Sequence, residues 1–359
     1  MNFLLSRYVL SVVALIIGAL WVVPDTARAD EWPERPVTLV VKYSAGGGTD
    51  LILRSLAKAM ESELGQTIKV TNMTGGVGSI AAQHVFDQPA DGYTWLGFGN
   101  FLKHFRPMGL VDITPWKDFD MFLAGNSLAS WSVNADSPIK SFEDFVELAR
   151  AKPGELKVAT DGKGGLWHEV MSMLGATLDF KVNLITYDGG APATLAALQG
   201  EVDVVCSGLH EHIEFIKAGK LRNLAQFSGE DMEVPGVGTL RSITNIVPET
   251  KDMAPFGSMY GIALKRGTPK PILMKVKAAI EKAQQDPGFN KMLEDRYLRK
   301  AFLYGEEADR KAAQLEVMAA NLFHELEISK ESPEELGLPP VNEFNTWWPP
   351  ADYQPSVVE

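Results

Sequence analysis

The sequence predicts an α/β protein of two lobes around a cleft, and three features predict it. Short β-branched apolar runs alternate with segments of helical spacing from 37 to 98, the same alternation restarts at 156 and continues to 227, and each series opens with a glycine-rich stretch between its first strand and its first helix. Alternation of this kind implies mostly parallel sheets covered on both faces, because a parallel return needs a crossover.

The first 29 residues stand apart from that fold. Arg7 gives a positive start, 8–23 is almost wholly apolar, and Ala27-Arg28-Ala29 offers the small residues a signal peptidase requires, so 1–29 is expected to be a cleaved export signal. The apolar run is short of the roughly 20 residues a membrane span needs. About 330 residues remain, enough for two ordinary domains. Cys206 is the only cysteine, so no internal disulfide is available and the fold must stand on packing even in an oxidising compartment. The expected location is periplasmic.

Taken in order, Val37-Thr38-Leu39-Val40-Val41 reads as a strand, and Leu53, Leu56, Met60 and Leu64 give the next segment helical spacing. A second unit has a strand at 67–71, a loop through Gly75, Gly76 and Gly78, and a short helix at 80–86; Asp91-Gly92 then turns into a strand at 93–98. Ser141 followed by Asp144 has capping-box spacing, and Lys152-Pro153-Gly154 ends the helix begun there. The second series runs from a strand at 156–160 through a glycine-rich loop to a helix at 168–174, then continues to 227. A Gly-, Pro-, Thr- and Asp-rich return connection follows at 228–256, then a strand at 260–264 and helices from 269 to 328. The expected division is 30–130 plus 256–331 for the first lobe, 131–255 for the second, and an extended tail at 332–359 whose aromatics suggest docking on the body. Hinges are expected near 129–132 and 228–256.

With 34 Lys and Arg against 46 Asp and Glu, the formal net charge is −12. No basic run or basic-aromatic stripe is present, which speaks against nucleic acid as a partner. An anionic ligand would have to be drawn by local groups against this field, and oriented backbone N–H groups are the natural source.

Ser44-Ala45-Gly46-Gly47-Gly48-Thr49-Asp50 carries most information, because it joins a strand directly to a helix and removes side chains where helix-end N–H groups are free. Such a loop can cradle an anion; capping of the helix by Thr49 or Asp50 is the alternative use of the same residues. It is no nucleotide fingerprint, since the third glycine is missing and no Lys-Ser or Lys-Thr follows. Thr160-Asp161-Gly162-Lys163-Gly164-Gly165 holds the equivalent place in the second series, and two facing loops would make a clamp. His210-Glu211-His212 with Glu214 lacks a recognisable metal spacing, His168 opens the second-series helix as either a ligand-facing or a packing residue, and neither a nucleophile elbow nor a catalytic histidine pair is present. The residues call for no metal and no cofactor.

Several of these stretches together resemble the Bug, or TctC-type, receptors of tripartite tricarboxylate transporters. The resemblance rests on Trp32-Pro33-Glu34-Arg35-Pro36-Val37, Ala45 through Asp50, Leu64-Gly65-Gln66, Val70-Thr71-Asn72 and Asp91-Gly92-Tyr93-Thr94 in the first half. In the second half it rests on Ala151-Lys152-Pro153-Gly154, His168, Tyr187-Asp188-Gly189-Gly190-Ala191-Pro192-Ala193, Gly200-Glu201-Val202-Asp203 and Gly219-Lys220-Leu221. It implies a type II periplasmic-binding-protein fold, monomeric, closing on a small organic carboxylate that it passes to membrane permease subunits. It also implies that Tyr187, Asp188 and Ser207 come towards the cleft, with Asn100 and Phe101 near its rim. The chain departs from the family pattern at Asp188, where Lys is usual, and at Lys163 and Trp167, in a loop usually built of small residues. Lys163 could pair with a carboxylate and Trp167 could stack on a ring. A secreted enzyme on the same scaffold and a sensor for a membrane kinase are the alternative readings.

Overall fold

The structure, a computed structural model, describes residues 31–358, so the segment expected to direct export, 1–29, lies outside the described residues. Strands β1 (Val37–Val41), β2 (Ile68–Asn72), β3 (Thr94–Gly99) and β4 (Phe119–Asn126) begin the first sheet. The second is built from β5 (Ala129–Asn134), β6 (Lys157–Asp161), β7 (Asn183–Tyr187), β8 (Val204–Gly208) and β9 (Leu221–Gln226). After a small hairpin of β10 (Met232–Val234) and β11 (Gly238–Leu240), the chain returns to the first sheet with β12 (Met259–Lys265) and β13 (Arg299–Leu303).

Strand orders are β13-β4-β12-β3-β1-β2 and β7-β6-β8-β5-β9. In the first sheet β1 pairs in parallel with both neighbours, Val37 opposite Ile68 and Thr38 opposite Thr94, while β12 and β4 run antiparallel to their neighbours. The near-continuous apolar sequence of β1 follows from burial on both faces: Val37, Leu39 and Val41 belong to one core, and Val40 to the core on the opposite face. Each lobe thus has its own hydrophobic interior; in the second, Trp131, Phe142, Phe145 and Leu174 are packed together.

The two passages between sheets lie side by side. Ser127 N donates to Ser258 O at 2.8 Å and Ala129 N donates to Phe256 O at 2.8 Å, so the crossings sit at 126–129 and 256–259 with little loose chain between the sheets. Glycine-containing turns at the carboxyl ends of β1, β6, β7 and β8 lead into the helices α1 (Gly48–Leu64), α2 (Leu166–Thr177), α3 (Gly190–Gln199) and α4 (Leu209–Lys217). Ligands of open α/β sheets characteristically bind at the carboxyl ends of strands.

A long helix, α5 (Gly305–Glu325), backs the first lobe, and the tail lies against it. The tail is not wholly extended, because 341–347 forms a helical turn. Trp347 and Trp348 set their rings 6.0 and 5.6 Å from that of Trp116, and Phe344 and Leu338 join the first-lobe core. Arg106 donates to Leu336 O at 2.6 Å.

Candidate functional site

The helix α1 starts directly from the glycine loop: Gly47 is the N-cap, and no side chain caps it. Neither Thr49 nor Asp50 takes that role. Asp50 instead turns back to accept from Gly46 N at 3.0 Å and from Arg54 Nη2 at 2.6 Å, with Asn72 Nδ2 at 3.0 Å; these contacts hold its carboxyl below the usual range although burial opposes them. Ala45 and Gly46 are exposed, whereas Gly47, Gly48 and Thr49 are buried and line the cleft.

Across the cleft, α2 begins at Leu166 with Gly165 as N-cap. Its end amides are not free. Asp161 Oδ1 accepts from Trp167 N at 3.0 Å and His168 N at 3.2 Å, and Tyr43 Oη donates to Asp161 Oδ2 at 3.3 Å from the other lobe. Burial pushes the Asp161 carboxyl up to about 6, opposed by those two amides and by the charge of Lys42. Lys42, fully buried at the end of β1, is pulled down to about 7 by the same desolvation, with Asp161 acting against it.

The central contact is one the sequence did not suggest. Glu211, in the first turn of α4, accepts from Gly208 N at 3.0 Å and, across the cleft, from Gly48 N at 3.2 Å. Its side chain is 4% exposed. A Cβ on Gly190 would fall 1.9 Å from Glu211 Oε2, so that glycine is needed to let the carboxylate approach the start of α3. The starts of α1, α3 and α4 therefore converge on a single carboxylate, where aligned peptide dipoles and unpaired N–H groups favour negative charge. Burial raises the Glu211 carboxyl, with the amides of Gly208 and Gly48 among the groups opposing it.

His210 and Tyr260 lie beside this point, and Asp161 lines the same space. His210 is buried, with both ring nitrogens unpartnered, and its ring stands at 80° to that of Tyr260 with centroids 5.9 Å apart. Desolvation, helped by the charge of Arg296, holds His210 near 3. His212 makes hydrogen bonds with Ser207 Oγ at 2.8 Å and Ser132 Oγ at 3.0 Å, and the Ser207 side chain also reaches the Glu211 carboxylate. A free volume of about 20 Å³ remains among Tyr43, Gly48, Asn100, Asp161, Trp167 and Tyr260, room for little beyond a water molecule.

Other residues singled out from the sequence are placed as follows. Asn100 lines the cleft and uses its Oδ1 to accept from Met259 N at 3.0 Å, but the Phe101 ring is buried in the first-lobe core, 5.1 Å from that of Phe98. Lys163 is exposed. Gly162 and Gly164 lie against Val77 and Met108 of the first lobe, and Thr160 Oγ1 is turned to Asp161 O. His168 is 8% exposed with an unpartnered Nδ1, and burial lowers it to about 4. Tyr187 is half-buried, and the Asp188 side chain is exposed; it is the Asp188 carbonyl that joins the lobes, accepting from Ser44 Oγ at 3.0 Å. A buried ion pair adds to this closure: Lys103 Nζ of the first lobe lies 2.8 and 2.6 Å from the two carboxylate oxygens of Glu169 in α2.

The chain is similar to known proteins over most of its length. The pattern of the tripartite tricarboxylate transporter family receptor, TctC, matches residues 52–313. The chain is 30% identical over 275 residues to the UPF0065 protein in the gbd 5' region of Cupriavidus necator, covering 75% of this chain and 81% of that one. Among solved structures it is similar to the periplasmic binding protein BugD, with a TM-score of 0.75 and 26% identity, covering 84% of this chain and all (100%) of the other. It also shares its fold with MatC from Rhodopseudomonas palustris, solved with bound malate: TM-score 0.68, 24% identity, 82% of this chain and 98% of that one.

Proposed function

The chain belongs to the receptor family of tripartite tricarboxylate transporters, and on that premise we propose that it captures a small organic carboxylate between its lobes and presents it to the permease subunits of such a transporter. The family and its solved neighbours are solute-binding receptors rather than enzymes. Export through 1–29, action in the periplasm and a monomeric state complete the reading.

One observation carries it. Backbone amides of Gly48 and Gly208, with the open face of Gly190, receive a carboxylate at the point where both lobes meet. In the closed arrangement that carboxylate is the chain's own Glu211, and on this reading a solute carboxylate takes the same position. Opening of the lobes parts Gly48 from Glu211, and a solute acid competes for the amide. MatC, solved with malate, supports the same class of solute for this chain. Peptide amides recognise the acid group without regard to the remainder of the molecule, so the other cleft residues select among acids.

A thermal-shift screen of the purified protein against organic acids tests the reading. An acid at about 100 times its dissociation constant adds about 2.7 kcal/mol to the stability, a readable shift. If no acid of the panel raises the unfolding temperature while neutral or cationic solutes do, the reading is wrong.

A further inference from the structure

A second cavity, of about 460 Å³, opens on the hinge side of the same cleft, with Asn100 in the wall of both spaces. Its floor is the pair of crossings, through Asn126, Ser127, Phe256 and Gly257; Leu166 comes from the second lobe, and Lys311, Leu315 and Met318 come from α5. Both lobes and the hinge therefore build it, and the site proposed above uses no residue of α5.

The chemistry of the walls is specific. Met253, Phe256, Met259 and Leu315 present an apolar surface, and methionine side chains adapt to ligands of varied shape. Met318 is 45% exposed at this wall, an unusual setting for a large apolar side chain beside a concave surface. Two cations, Lys103 and Lys311, face the same space, and no acidic side chain lines it among the described residues. Lys103 shares its charge with Glu169 behind the wall. Among the described residues Lys311 has Gln314 Oε1 at 3.5 Å as its polar contact, and burial together with the Lys103 charge lowers its proton affinity. An anion between such groups relieves their repulsion.

We propose that this hinge-side chamber is a second acid-binding site, taking an organic anion with an apolar body whose charged group faces Lys103 and Lys311. Short polar acids would gain nothing from the methionine and phenylalanine wall, and neutral apolar molecules nothing from the lysines. Because the walls come from both lobes, such an anion favours the closed arrangement, so it couples to whatever binds at the glycine amides.

Calorimetric titration of the purified protein with octanoate, octanamide and malate tests this. Octanoate is expected to bind, octanamide at least tenfold more weakly; Lys311→Gln should weaken octanoate at least fivefold, and Met318→Trp, which fills the chamber, at least tenfold. Failure of octanoate to bind, equal binding of octanamide, or unchanged affinity in both variants would overturn the proposal. Should Met318→Trp lower the unfolding temperature, the change Lys311→Gln, at a half-buried wall residue, decides alone. Malate reports separately on the glycine amides: if malate fails to bind and octanoate binding obeys the pattern above, the chamber stands and the first reading falls.

Discussion

Gly48 of the first lobe donates its amide to the Glu211 carboxylate of the second at 3.2 Å, and this single bond crosses the cleft where a solute acid is proposed to sit. A hydrogen bond to a charged group contributes about 1.5–3 kcal/mol. Glu211→Ala removes both the bond and the competing charge, so the affinity for acids of the panel should rise about tenfold, which corresponds to about 1.4 kcal/mol. Calorimetry with the best acid from the screen measures it. A tenfold loss instead would mean that Glu211 itself contacts the solute, as it would for a cation.

The frame of this site could be read from the chain, and its occupant could not. Strand, glycine run and helix at 37–64 and again at 156–174 are local signals, carried by β-branched residues, by glycines without side chains and by leucines at helical spacing. Asp161 was also visible, although its carboxylate serves the amides of its own helix. Glu211 lies 163 residues from Gly48, and only packing of the two sheets brings them together. Its local signal was present but weak: a glycine at a strand end with a glutamate three residues on has the spacing of a capping box. Lys103, Lys42 and Tyr43 escaped for the same reason, since their partners Glu169, Val77 and Asp161 lie far along the chain.

Gly48 should tolerate no side chain in the closed arrangement. A Cβ there would come 2.1 Å from His210 Nε2 and 2.5 Å from Tyr260 Oη, while at Gly47 it would meet nothing nearer than 3.4 Å. Gly48→Ala is therefore expected to hold the lobes apart and to lose acid binding at least tenfold, with Gly47→Ala as a near-neutral control. Small-angle scattering would show a larger radius of gyration for the first variant. Equal radii and equal affinities would count against closure onto Gly48.

His210 gives the protein a specific acid sensitivity. Its folded value near 3 lies below the unfolded value near 6.5, so the unfolded chain takes up the proton first. The stability from burying the neutral ring is fully present above 6.5, declines as pH falls below it, and is gone by about 3. In His210→Phe that loss disappears, and two unpartnered buried nitrogens disappear with it. Urea unfolding at pH 7.5, 6, 5 and 4 should show the variant's advantage constant at the highest pH and widening as acid is added. An advantage that narrows would refute the sign.

Lys103 and Glu169 join the lobes inside the protein, with side chains 6% and 10% exposed. Removing one partner of a buried pair leaves an uncompensated charge and costs about 3–5 kcal/mol. Opening of the cleft lets water reach Lys103, so the cost of Glu169→Gln should fall mainly on the closed form and appear as weaker solute binding. Lys103→Met with Glu169→Leu, which removes both charges, should recover much of the affinity for acids held at the glycine amides. A double variant as weak as the single one would show that the pair acts otherwise.

The tail at 332–358 is expected to stabilise the first lobe without contributing to solute capture. Its partners all belong to that lobe: Tyr353 Oη and Ser356 N donate to Asp309 at 2.9 and 3.2 Å, Ser356 Oγ donates to Asp120 at 2.7 Å, and Trp116 lies under Trp347 and Trp348. Burial raises the Asp309 carboxyl to about 6 even with Arg266 beside it, so loss of Tyr353 and Ser356 leaves a half-solvated acid group on a bared aromatic surface. Each of Leu338 and Phe344 contributes about 2 kcal/mol through burial. Truncation after 331 should thus lower the unfolding temperature by several degrees, yet leave the affinity for acids at 20 °C within about twofold. A tail that latched the lobes would behave differently: its removal would change affinity at a temperature where the truncated protein is still folded, and calorimetry on the truncated chain separates the two.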